Sequence, residues 1–124
     1  MQRGDAFMLD DDDEAKEHLH VVLTNPTAEG EVVTVAICTR KRWSEDIVCL
    51  EIGDHPFIRH SSVVAYRYAR IRKCSAIEQA LACGKARSKE RISQQLLRRI
   101  QQALPESDFV SNEVRAFFTN CDLE

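Results

Sequence analysis

No run of about 18 apolar residues occurs anywhere in the sequence, so no membrane-spanning helix is expected. Nor does the start, Met1-Gln2-Arg3-Gly4-Asp5, lead into an apolar signal core; it runs into acid, which points to a chain kept in the cytoplasm. Cys38, Cys49, Cys74, Cys83 and Cys121 show no C-x-x-C pairing, and their odd number does not fit a disulfide framework. Cys38 and Cys49 fall inside apolar, strand-like runs, where a thiol behaves as a small hydrophobe. The expectation is a reduced, intracellular protein. Low-complexity bias is absent, and so is any internal repeat or βαβ rhythm, which excludes a disordered chain, a solenoid and a parallel doubly wound sheet. At 124 residues the chain is expected to form a single domain, since two cores would each be too small to fold alone.

What the chain does have is charge, unevenly placed. The formal total is −3, yet residues 59–99 hold eleven bases against two acids, while residues 1–20 hold seven acids against two bases. A surface can therefore be locally cationic in a protein of pI near 5.8. Such asymmetry suits a polyanion site or a self-assembling surface, and does not choose between them.

Residues 1–72 read as about five short strands joined hairpin-fashion. The expected strands are Phe7–Leu9, Leu19–Thr24, Glu31–Thr39, Asp46–Ile52 and Ser62–Arg72. Five consecutive acids, Asp10 to Glu14, repel one another and predict a solvated loop. Asn25-Pro26 to Gly30 is a turn by its chemistry, and the Val- and Ile-rich run from Glu31 to Thr39 suggests a central strand buried on both faces. Strict alternation along the fifth strand would set Val64, Tyr66 and Tyr68 against Val63, Ala65, Arg67 and Ala69. Residues 73–124 change period. Helices are expected over Ser75–Ala82 with Gly84 as C-cap, over Lys89–Leu104 with Ser88 as N-cap and Pro105 as stop, and over 112–118. The fold class is mainly β with C-terminal helices (α+β), a small antiparallel barrel or sandwich.

Two groups of residues could carry chemistry. His18 and His20 stand two apart on a strand and project to one face. They suit packing, proton transfer or phosphate contact, or metal binding, although zinc would need four ligands and no second pair supplies them. The segment Thr39-Arg40-Lys41-Arg42-Trp43 ends a buried strand in a hydroxyl, three cations and the only tryptophan. Cations can hold a phosphodiester backbone while the indole stacks on an unpaired base; equally, this could be a solvated loop whose Trp folds back over an open barrel end. Arg59 and His60 extend the cationic character towards the fifth strand, continued by Arg67, Arg70, Arg72 and Lys73. Cys83-Gly84-Lys85 follows no strand and lacks the glycine of a phosphate loop, and Ser61-Ser62 lacks a nucleophile elbow.

Arg3-Gly4-Asp5, Val21-Val22-Leu23-Thr24 with Asn25-Pro26, Val33 to Thr39, and Ser62-Val63-Val64 leading to Ala69-Arg70-Ile71 together resemble the PemK/MazF (Kid-like) toxins, over roughly residues 3–72. The resemblance implies an SH3-like small antiparallel β-barrel with appended helices, a homodimer, a groove for single-stranded RNA, metal-independent endoribonuclease activity without a cofactor, and an antitoxin whose acidic tail fills the groove. It places the family's strand-end hydroxyl on Thr39. The family's Arg-Pro falls on His18-Leu19, and its Asp-Gln falls near Tyr66-Arg67. The motif Gly53-Asp54-His55-Pro56-Phe57-Ile58 is its own.

Two functions follow as expectations. In one, His18 or His20 takes the proton of a ribose 2′-hydroxyl, Arg40 or Arg59 stabilises the phosphorane, and Thr39 bonds a phosphate oxygen. Arg40, Lys41, Arg42, Trp43, Arg59 and His60 would hold the RNA. In the other, catalysis is lost and the barrel binds RNA or a protein partner.

Overall fold

The computed structural model describes residues 1–10 and 17–121. The acidic run Asp10–Glu14 lies outside that set, apart from the backbone of Asp10. Among the described residues the chain forms six strands: β1 (Ala6–Asp10), β2 (Glu17–Val22), β3 (Glu31–Thr39), β4 (Cys49–Leu50), β5 (Ser62–Lys73) and β6 (Ala86–Lys89). Three helices accompany them, α1 (Cys74–Ala82), α2 (Gln94–Ala103) and α3 (Asn112–Thr119), with a 3-10 turn over Leu104–Glu106. The strands make one curled, wholly antiparallel sheet in the order β4-β5-β3-β2-β1-β6. Mainly β with C-terminal helices is therefore the observed class. No helix among the described residues is long and apolar enough to cross a membrane.

Period-two alternation divides the apolar residues between the two sides of the sheet. Ala6, Met8, Leu19, Val21, Val33, Val35, Ile37, Val64 and Tyr66 join the main core, closed by Leu96, Leu97 and Ile100 of α2 and by Val114 and Phe118 of α3. Phe7, Val22 and Val32 point the other way and form a second, smaller core with Ile77 of α1 and Ala86 of β6. β3 lies between β2 and β5, and its residues from Val32 to Ile37 are all buried, as its continuous apolar run predicts. Tyr66 ties sheet to helix, donating its hydroxyl to the Ile100 carbonyl at 2.8 Å.

Three local expectations give way to tertiary pairing. The segment 86–89 is a strand, not the start of a helix: its backbone completes the open edge of β1, with Ala86 opposite Leu9 and Lys89 opposite Ala6. The helix consequently starts later, capped by Ser93, whose hydroxyl accepts the Leu96 amide at 3.1 Å. The fourth strand shrinks to two residues, Cys49 and Leu50.

The third change matters most for the site. Between Thr34 and Ala36, β3 advances two residues while β5 advances five, from Arg70 back to Ala65. An offset of three is odd, so the bulge inverts the side-chain parity of β5. Val64 and Tyr66 thus share the main core with Ala69, contrary to strict alternation. Arg70 and Arg72 then stand opposite Thr34 and Val32, and the Arg72 Nε donates to the Thr34 hydroxyl at 3.0 Å.

The Arg3-Gly4-Asp5 opening is used structurally. Gly4 has a φ of +91°, which an L side chain rarely adopts. Arg91 closes over the turn, donating to Asp5 at 2.5 Å and to the Arg3 carbonyl at 2.8 Å.

Candidate functional site

The end of the sheet where β3 finishes carries a cleft of about 150 Å³. Its walls are His18, Cys38 and Thr39 from β2 and β3, Val63, Ala65 and Arg67 from β5, and Lys41, Trp43, Ser44 and Glu45 from the loop after β3. The loop is built locally. Ser44 accepts the Lys41 amide through its hydroxyl at 2.8 Å and donates its own amide to the Lys41 carbonyl at 3.0 Å, which makes a tight turn. Trp43 emerges from that turn 74% exposed, with the Lys41 ammonium 6.0 Å from its ring. It does not fold back over the end of the sheet.

Glu45 anchors the other side of the loop. Its side chain is buried, with 5% exposure, and its two carboxylate oxygens accept the Tyr66 amide at 3.1 Å and the Arg67 amide at 3.0 Å. Those amides have no ladder partner because the bulge takes residues 66–69 of β5 out of pairing with β3. A buried backbone donor needs an acceptor, and this carboxylate supplies two. Nothing in the spacing of Glu45 announces the role, since the amides it serves come free only through long-range pairing.

The four histidines separate by environment. His18 is half-buried and lines the cleft. His20 shares its sheet face, as their spacing predicts, but is only 1% exposed and stacks on Phe7 at 5.5 Å between ring centroids. Burial first, then the charges of Arg72, His18 and Arg70, push its pKa from the ordinary 6.5 down to about 3. His20 is thus a neutral interior ring and is outside the cleft, which corrects its assignment as a proton-transfer group. His55 is also buried; its Nδ1 accepts the Phe57 amide at 3.0 Å, so its Nε2 donates to the Glu90 carbonyl at 2.6 Å. That pins the Gly53–Ile58 segment as a rigid turn. His60 is exposed, and its Nε2 lies 2.8 Å from the Thr39 hydroxyl on the cleft wall.

The remaining candidates are only partly gathered. Thr39, Lys41 and Trp43 line the cleft; Arg40, Arg42 and Arg59 are exposed and do not. The expectation that Arg40 or Arg59 converges on the same cleft as His18 and Thr39 is therefore not met. Arg67, noted in the sequence only as part of a cationic strand, takes that place on the wall. Among the described residues no group of three or more His, Cys, Asp or Glu side chains is placed to hold a metal ion. Among the described residues no disulfide joins any of the five cysteines.

No family model matches this chain, and no curated protein matches it.

Proposed function

We propose that this protein binds single-stranded RNA in the cleft between Trp43 and Arg67, and that it is a divergent, SH3-like barrel of the PemK/MazF toxin kind. The observation that carries the reading is the exposed Trp43 ring beside Lys41, on the lip of a cleft whose wall includes Arg67. An indole left in water has a free face on which a base can stack, worth about 1–3 kcal/mol per base, while the flanking cations meet phosphates. Unpaired bases fit this arrangement better than a duplex, whose bases already stack on one another. Arg40, Arg42 and Arg59 around the rim add long-range attraction without sequence reading. Within the same reading, a second copy extends the groove, and an antitoxin-like partner competes for it with an acidic tail.

The protein has one tryptophan, so its fluorescence reports this cleft alone. Titration with a single-stranded oligoribonucleotide at about 50 mM salt is expected to quench Trp43, more weakly at about 200 mM, as release of counterions from phosphates requires. A duplex of the same sequence leaves emission unchanged. Failure of single strands to change the emission at low salt overturns the reading.

A further inference from the structure

We infer that the cavity between α1 and the sheet is a binding site for a small aliphatic carboxylate. Its tail lies on the apolar walls and its anionic head meets Lys73 and Arg72. The site shares no lining residue with the cleft beside Trp43, so the inference is independent of the RNA reading.

The cavity arises from the way α1 crosses the sheet. The chain passes directly from β5 at Lys73 into α1 at Cys74, and the helix packs against β6 on the far side of β1. Ile77 is buried in the smaller core with Phe7, Val22 and Val32. Ala76 and Ala80 are four residues apart on one helix face and end in methyl groups, which leaves a space of about 360 Å³ beside them. Phe7 and Leu9 of β1 and Ile71 of β5 complete the apolar wall. Small-molecule sites commonly measure about 300–1,000 Å³, and this apolar surface is stabilised when a hydrocarbon chain replaces water against it.

The other two lining residues are both cations. Arg72 is steadied by its Nε, which donates to the Thr34 hydroxyl at 3.0 Å, and Lys73 is exposed where strand turns into helix. Among the described residues no acid lines the cavity. The first turn of α1 carries none, and Glu78, the one acid of that helix, lies 4.0 Å from the Met1 amino group. Glu31 stands opposite Lys73 in the ladder but is not part of the wall. A single negative end therefore meets uncompensated positive charge, whereas a cationic end is repelled. The walls offer no hydrogen-bonding side chain besides the two cations, so a polar body would be desolvated without partners and a plain hydrocarbon tail is not.

The test titrates the full chain with hexanoate, octanoate, 1-octanol and octylammonium, reading the methyl NMR shifts of Ile71 and Ile77 and the affinity by calorimetry. Octanoate is expected to shift both methyls, to leave Trp43 emission unchanged, and to bind about 15-fold tighter than hexanoate for its two extra methylenes. The alcohol is expected to bind more weakly and octylammonium most weakly. Lys73→Gln is expected to weaken octanoate about two- to fivefold and to leave 1-octanol unchanged. Ala80→Trp fills the cavity and is expected to abolish binding with the thermal melt retained. Ala76→Trp, at an exposed position on the same wall, gives the same readout should Ala80→Trp not fold. Unshifted isoleucine methyls, octylammonium bound as tightly as octanoate, or undiminished binding by a folded Trp variant overturns the inference.

Discussion

The Glu45 carboxylate accepts the amide of Tyr66 at 3.1 Å, across 21 residues of sequence, and the amide of Arg67 at 3.0 Å. One acidic side chain thereby closes a bulge in β5 and fixes the loop that presents Lys41 and Trp43. Its two functions, satisfying backbone and positioning the cleft, cannot be separated by a conservative swap. Glu45→Gln offers one acceptor oxygen and turns a donor towards the second amide. A loss of about 1–3 kcal/mol in denaturant unfolding is expected, with weaker quenching of Trp43 by RNA. Stability and quenching both at wild-type levels would show that the bulge does not depend on this carboxylate.

Tyr66 offers a cleaner measurement, because its phenol bonds only through the hydroxyl to the Ile100 carbonyl at 2.8 Å while the ring fills the core. Burial pushes its pKa upward, so it stays a neutral donor across ordinary pH. Tyr66→Phe should cost about 1 kcal/mol, read as a lower urea midpoint at unchanged slope.

His20 gives the fold a pH dependence of known sign. Its folded pKa is about 3, against 6.5 for the free side chain, so between those values the unfolded chain binds a proton that the folded chain does not. The stability is fully present above about pH 6.5 and is lost progressively as pH falls towards 3, by an amount on the order of a few kcal/mol. Equilibrium unfolding at pH 7 and pH 5 should show the decline, and His20→Leu should flatten it. An equally steep decline in the variant would place the titration elsewhere.

Gly4 carries the chain into β1 at a φ of +91°, and a methyl group there would meet the Arg91 guanidinium at 3.1 Å. Gly4→Ala is expected to destabilise by about 1–3 kcal/mol, combining backbone strain with a shifted Arg91–Asp5 pair. A thermal melt within error of wild type would rule this out.

Lys41 tests the electrostatic half of the RNA reading. If it meets one phosphate, Lys41→Gln should lower the slope of log affinity against log salt by about 0.7, with the maximal Trp43 quench retained. An unchanged slope would remove Lys41 from the contact.

The sequence by itself determined the antiparallel, β-first architecture, the buried run of β3, the shared face of His18 and His20, and the exposed basic connection after β3, while leaving the placement of Trp43 open. These follow from local rules: side-chain period, turn chemistry and the cost of burying charge. Only the tertiary structure decided that residues 86–89 are a strand, because the reason is the open edge of β1 and not their own propensity. It also decided the parity of β5, the role of Glu45 and which of the four histidines are interior. His20 is neutral because its neighbours desolvate it, and His60 meets Thr39 because the β3–β5 ladder brings together residues 21 apart. The geometry of the cleft depends on such distances in space, which a one-dimensional spacing does not contain.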